Sequence, residues 1–351
     1  MTVPSSISNS DSLTDRSPYQ LAASTLSPVW WLCIAGLLLT LLGSLELGLR
    51  SAGYSAGPHD DDLFWASHRL SADQADSGTI VFIGSSRCQS DVAVPQLKSS
   101  VGRHVIQLAI AGSSPLPVLQ DLADASDFSG TVCLSISPQH AFSSRDEKLS
   151  QPRSWISASK RVRSSPSEFW EMHCELAMRR FVLMRQDFNW RTVMNRRLSG
   201  SRPPEKDVWL QASRWTKIPD PVSRRRVGIE VEIPPIDRDL QNFENLVKQY
   251  QAAIHAIQAR GGRVLVIQPP STGSDSEALG ILDTEKEFLP RRDYFDHLVS
   301  ACGIQGLHAD DFEQTRDLVG VDGSHLCESD ARLYTEWLAG SLTKLMDSPD
   351  K

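Results

Sequence analysis

An α/β fold, a parallel sheet covered by helices on both faces, is predicted for most of this 351-residue chain. Two observations predict it. Short continuous apolar runs alternate with segments whose apolar residues recur every three or four positions, from Thr79 to Met346. Strands that alternate with helices pair in parallel and are buried on both faces, which is why the runs are so apolar. The composition agrees: 40% hydrophobic and 23% charged residues suit a packed globular chain.

Residues 1–27 are rich in Ser, Thr and Asp and show no periodicity, so they are expected to form a disordered tail. Residues 28–50 follow as an apolar segment in which, from Val29 to Leu49, the one charge is Glu46. Its length is about the 20 residues that a bilayer core requires. Trp30 and Trp31 stand where an interfacial belt would place them, and Arg50 closes the other end. A buried core helix or a cleaved signal peptide would share the apolar run. A signal peptide needs a basic leading region, and Arg16 is the one basic residue before the span. An uncleaved single-pass anchor is therefore the expectation, with 51–78 as a linker to an α/β domain over 79–346. The flanking charges do not fix its orientation.

Within that domain "TIVFIG", "HVIQLAIAG", "GTVCLSIS", "RVLVIQPP" and "IQGLHADDF" read as strands, about five in all. Between them "VPQLKSSV", "PLPVLQDLADAS", "LQNFENLVKQYQAAIHAIQARGG" and "YFDHLVSACG" read as helices, and "SDARLYTEWLAGSLTKLM" closes the chain as an amphipathic helix. Residues 143–237 interrupt the alternation as a mainly helical insertion, with one long helix expected over 167–188. The insertion holds Trp155, Trp170, Trp190, Trp209 and Trp215, and from Arg153 to Arg226 basic residues exceed acidic ones by about ten. It suits an anionic polymer or an anionic lipid surface, or is an arginine-rich solvated helix face.

The net charge of −7 gives no reason to expect a nucleic-acid partner. Six cysteines occur without a CxxC pair or zinc spacing, so no metal site is expected. Neither a dinucleotide fingerprint nor a P-loop is present in the sequence, and no cofactor is expected.

Parallel sheets bind ligands beyond the carboxyl ends of their strands, and Gly84-Ser85-Ser86 ends the first strand. A serine hydroxyl becomes a nucleophile when a base, itself held in place, removes its proton. "GVDGSHLCESDARLY" offers that pair: Asp322 and His325 are three apart, just before the last helix. Alone, the same residues could cap a helix or form a turn.

Taken together, Gly84-Ser85-Ser86, Gly112 in "LAIAGSSP" and Asp322-x-x-His325 resemble the SGNH (GDSL-type) hydrolase superfamily, over roughly Thr79–Leu342 apart from the insertion. The resemblance implies a three-layer α/β/α domain with a flavodoxin-like sheet. It also implies Ser86 as nucleophile, His325 as base and Asp322 as its orienter, with the Ser86 and Gly112 amides as the oxyanion hole. The departure is after the third strand, where the family's Asn is replaced by "SISPQHAF"; Gln139, Ser137 or His140 could supply the third oxyanion donor. Gly-Ser-Ser behind an N-terminal span resembles the membrane-anchored branch that includes D-alanyl transfer and polysaccharide O-acetylation proteins. That likeness implies an esterase or O-acyltransferase acting on an acyl ester or glycan outside the cytoplasm. The alternative is an inactive module of this fold that binds an envelope polymer or a partner protein. If Ser86 and His325 meet, Cys88 and Cys327 come into range of a disulfide, against the plainer reading of two unrelated small buried residues.

Overall fold

The computed structural model describes residues 27–124, 127–200, 209–221, 240–270, 291–318, 320–322 and 324–347. The disordered tail expected over 1–27 falls outside them except for Ser27. Two compact units result, residues 1–52 and 53–351.

In the first unit, helix α1 (Pro28–Ser51) begins on a proline, whose missing amide hydrogen costs nothing in a first turn. Its 24 residues reach about 36 Å at 1.5 Å per residue. It is long and apolar enough to cross a membrane, with a mean hydropathy of 2.0 in its best window. Glu46 accepts a hydrogen bond from Arg50 Nε at 2.7 Å, one turn away, which neutralises the acid within the helix.

The second unit opens with α2 (Asp62–Asp73), capped by Asp61, whose carboxylate accepts from the Phe64 amide at 3.0 Å. Then come β1 (Ile80–Ile83), α3 (Ser86–Asp91), α4 (Val94–Val101), β2 (Val105–Gln107), α5 (Leu116–Asp124) and β3 (Thr131–Ser135). After α6 (Pro138–Ala141) the insertion follows as α7 (Asp146–Ser164), α8 (Pro166–Met178) and α9 (Trp190–Ser199). The chain ends with α10 (Leu240–Gln258), β4 (Arg263–Gln268), α11 (Arg291–Cys302), β5 (Gln305–His308), α12 (Glu313–Arg316) and α13 (Glu328–Asp347).

Among the described residues the strands form one parallel sheet in the order β2-β1-β3-β4-β5. This is the flavodoxin-like order, and the fold is α/β as the sequence predicts. Alternate residues of each strand feed different layers. Val81, Ile83, Val132, Leu134, Val264 and Val266 pack beneath α5, α10 and α11 with Leu119, Ile254 and Leu298. Ile80, Phe82, Cys133, Leu265 and Ile267 face the other way, onto α4 and α13, with Leu97, Tyr334 and Leu338. Every β1 and β3 residue is buried, the expected consequence of helices on both faces.

Two expectations change. Residues 51–78, read as a linker, contain α2, whose Trp65 is wholly buried and donates its indole N–H to the Leu108 carbonyl at 3.0 Å. Arg69 of α2 is also buried and donates to Asp121 of α5 at 2.8 Å. The second unit therefore starts before Thr79. The long helix expected over 167–188 stops at Met178; Val182–Met184 and Gln186–Phe188 are short 3₁₀ turns. Apolar periodicity runs through the break and hides it. The remainder of the insertion, 201–208 and 222–237, lies outside the described residues.

Candidate active site

Because the strands are parallel, Ser86 after β1, Gly112 after β2 and Gln139 after β3 all lie at the carboxyl edge of the sheet. Gly84 makes the first exit possible through space rather than through an unusual backbone. A Cβ on it would stand 2.6 Å from Cys88 Cβ and 2.9 Å from Ser135 Cβ. Gly84→Ala is therefore expected to destabilise the domain by about 1–3 kcal/mol, as overpacking does. A lower urea midpoint at unchanged slope is the check.

Ser85 is the N-cap residue of α3, yet its side chain makes no capping hydrogen bond. Ser86 is the first residue of that helix and half-buried. As the first helical residue, its amide has no intrahelical acceptor. Gly112 is exposed at φ +69°, a conformation that favours glycine.

Asp322 and His325 meet. The carboxylate Oδ2 lies 2.8 Å from His325 Nδ1, while Oδ1 accepts the amides of Ser324 at 2.9 Å and His325 at 2.7 Å. Burial opposes a charge on Asp322, but the imidazole and the two amides outweigh it and hold the carboxyl well below the usual range. Burial likewise opposes a charge on His325. Its bond to Asp322 and the charge of Asp91 outweigh burial and raise its pKa above 6.5. With Nδ1 engaged, Nε2 is buried and has no hydrogen-bond partner. It forms no hydrogen bond to Ser86.

The two blocks are nevertheless joined through their neighbours. Arg87 Nε donates to Ser324 Oγ at 3.3 Å, so the residue after Ser86 touches the residue before His325. At the far end of α3, Asp91 Oδ1 accepts the Leu326 amide at 3.0 Å and the Ser90 hydroxyl at 2.8 Å. Asp91 escaped the sequence reading because its partner is 235 residues away, and the polar run "SRCQSD" does not single it out.

Burial lifts the Asp91 pKa to about 6, against the pull of His325, the Leu326 amide, Ser90 and Arg87. Its folded pKa lies above the unfolded value of about 3.9. The stability it contributes is therefore fully present below that value and is lost as pH rises through about 6. Asp91→Asn keeps an acceptor for Leu326 and removes a charge that favours the imidazolium. Its His325 pKa is expected to fall relative to the wild-type chain, as read by NMR titration of the ring; an unchanged or higher value contradicts the coupling.

After β3, Ser137, the N-cap residue of α6, is buried, and Gln139 and His140 within α6 are half-buried. Gln139 Oε1 and His140 Nδ1 are buried atoms without hydrogen-bond partners. His140 is lowered to about 4, first by burial and then by the charges of Lys148, Arg87 and His325, so it is neutral at pH 7. It therefore belongs to the same electrostatic cluster as His325. Cys88 and Cys327 are free thiols. Cys88 bonds Gln107 Oε1 at 3.6 Å, and Cys327 lies 3.3 Å from Ser329 Oγ.

Helix α3 is also bonded by Trp215 and Thr216 of the insertion. Trp215 donates its indole N–H to the Ser90 carbonyl at 2.7 Å, and the Thr216 amide donates to Gln89 at 3.0 Å. Trp215 is buried with residues of α4 and α13, and Lys217 and Arg332 lie over its ring at 5.5 and 5.3 Å.

No family model and no curated protein sequence matches the chain. Among solved structures, a carbohydrate acetylesterase from Sinorhizobium meliloti is similar at a TM-score of 0.36 and 11% identity, over 76% of this chain and 99% of that one.

Proposed function

We propose that the chain is a serine-dependent enzyme acting on ester bonds, an ester hydrolase or O-acyltransferase that works through an acyl-enzyme. The observation that carries this reading is the Asp322–His325 pair. One imidazole nitrogen is fixed at 2.8 Å by a carboxylate and the other has no partner. The loop that presents it is tied to both ends of the helix that begins with Ser86.

Ser86 Oγ attacks the ester carbonyl as His325 Nε2 takes its proton, and Asp322 stabilises the imidazolium that forms. Catalytic hydrogen bonds are often open in unliganded enzymes, which accommodates the unpartnered Nε2. The Ser86 and Gly112 amides receive the oxyanion, and a third donor comes from Gln139 or His140 after β3. The tetrahedral adduct then collapses, the alcohol leaves with the proton from His325, and the acyl group stays on Ser86. Water, or an acceptor hydroxyl activated by His325, attacks the acyl-enzyme and frees Ser86. Water as acceptor makes the enzyme an esterase; a glycan hydroxyl makes it an O-acyltransferase. With α1 as a single-pass anchor, the substrate is placed outside the cytoplasm. This placement rests on the resemblance of Gly84-Ser85-Ser86 to the membrane-anchored branch.

A second reading has its own support. The chain lacks the family's Asn after the third strand, and Ser86 and His325 share no hydrogen bond. These features favour an inactive module that binds an envelope polymer or partner. A fluorophosphonate probe separates the two. Covalent labelling at Ser86, lost in His325→Ala, supports the enzyme; a folded chain that does not label supports the binder. Supplying an activated acyl ester with and without a glycan acceptor then distinguishes transferase from hydrolase.

A further inference from the structure

We propose that the outer face of α8 and the turn after it bind the surface of a lipid bilayer. Helix α8 is apolar on two opposite sides. Met172 is buried and Leu176 half-buried against Ala66 and Val162. On the far side Trp170, Cys174, Met178 and Phe181 follow one another at three- and four-residue spacing, with Ala177 beside them, and all are exposed. Trp170 is 67% exposed, which is unusual for an indole that packing could have covered. Met184, Met194 and Leu198 are also exposed, as are Arg180, Arg191 and Arg197 in the same stretch of sequence. A contiguous stripe of this kind marks an interaction surface.

The chain itself indicates what covers it. The ring of Tyr54 meets Phe188 edge-on at 5.2 Å. Arg185 Nη1 donates to the Ser55 carbonyl at 3.1 Å, and Arg179 Nη1 to the His59 carbonyl at 3.1 Å and to Asp61 at 3.0 Å. The insertion is thus fastened to the residues that directly follow α1. Ser55 is four residues past Ser51, the last residue of α1, and four residues extend to about 14 Å at most. If α1 crosses a bilayer, chain length alone keeps Ser55, and with it the Arg185 that donates to its carbonyl, within reach of that bilayer's surface. Indole, phenyl and thioether groups beside arginines are the side chains of interfacial helices, the rings at headgroup depth and the guanidinium groups on lipid phosphates. A soluble anionic polymer would engage the arginines and leave Met178 and Phe181 against water.

The proposal rests on α1 being a span, and the test reads the two separately. In the full chain with Cys33→Ser, Cys174 is the exposed thiol, since Cys88, Cys133, Cys302 and Cys327 are buried. A polarity-sensitive fluorophore on Cys174 is read in vesicles of phosphatidylcholine and phosphatidylglycerol, with and without doxyl-labelled lipid. A blue shift and quenching by the doxyl lipid are expected at Cys174, and neither at a label on exposed Ser99→Cys. Replacing Trp170 and Phe181 by Ser is expected to reduce the quenching. In parallel, a label on Cys33 in a Cys174→Ser chain reports insertion of α1. Quenching at Cys33 without quenching at Cys174 overturns the proposal and leaves the face to a polymer or a second copy. No quenching at Cys33 removes the anchor, and the proposal with it. Neither result touches fluorophosphonate labelling of Ser86.

Discussion

If the proposed mechanism holds, Ser86→Ala is expected to lower turnover of an activated acyl ester on the order of a million-fold, the scale on which a serine protease loses activity without its nucleophile. His325→Ala is expected to cost about as much, and the double variant no more than either single one. The reason is that in the proposed mechanism the two groups perform one act. Without His325 the hydroxyl keeps its proton; without Ser86 the imidazole has no nucleophile to activate. Asp322→Asn is expected to cost less, about ten-thousand-fold, because the imidazole remains but its tautomer is no longer fixed. The pH dependence follows from the same pair. His325 must be neutral to act as base, and its pKa is raised. Activity should therefore rise with pH through a midpoint above the ordinary value of about 6.5. In Asp322→Asn the imidazolium loses its main partner, so that midpoint should move down. Near-normal turnover by Ser86→Ala would remove the mechanism. Additive losses in the Ser86 and His325 variants would show that the two residues act separately.

The parts of this molecule that were readable in the sequence are those set by local rules. β1, β3 and β4 are buried on both faces, so their apolar runs stand out. β5 is readable only faintly, since Gln305 is exposed and Gly306 half-buried at the edge of the sheet. The Asp322–His325 contact was legible because three residues of separation bring it about. By contrast, Asp91 joins Leu326 and Arg87 joins Ser324 across more than 230 residues. No periodicity encodes such contacts. Helix α2 was missed for a related reason. Its sequence, "DLFWASHRLSAD", interleaves six apolar residues with polar and charged ones, and beside buried Phe64, Trp65, Ala66 and Ala72 the helix buries Arg69 through ion pairs with Asp73 and Asp121. The arginine content of the insertion misled in the same way. It suggests surface charge, yet Arg214 is wholly buried.

Arg214→Met is expected to be among the most destabilising single changes in the domain. Arg214 donates to Asp60 Oδ1 through Nε at 3.0 Å and Nη2 at 2.6 Å, and to the Gln107 carbonyl through Nη1 at 3.1 Å. Removing one partner of a buried pair costs about 3–5 kcal/mol, because the other charge is left uncompensated. Asp60 keeps some access to water, with a side chain 22% exposed, so a loss near 3 kcal/mol is expected, the low end of that range. The backbone adds to the argument. Arg214 is the one non-glycine residue at positive φ among the described residues, at 61°, a conformation that costs about 1–3 kcal/mol and persists where surrounding contacts enforce it. Once the guanidinium is gone, that backbone is left to main-chain bonds such as Arg214 N–H to the Gln211 carbonyl at 2.8 Å and Gln211 N–H to the Trp215 carbonyl at 2.9 Å. Its neighbours Trp215 and Thr216 bond the carbonyls of Ser90 and Gln89 on α3, so the helix that begins with Ser86 should loosen as well. Arg214→Met combined with Asp60→Asn removes the orphaned charge. The side-chain amide oxygen introduced there can still accept from Gln89, which donates to the native Asp60 at 2.7 Å. The double variant should regain much of the stability by urea unfolding, yet label more slowly at Ser86 than the wild-type chain. Equal stability losses in the single and double variants would place the cost in the strained turn and the Gln107 carbonyl rather than in the uncompensated carboxylate.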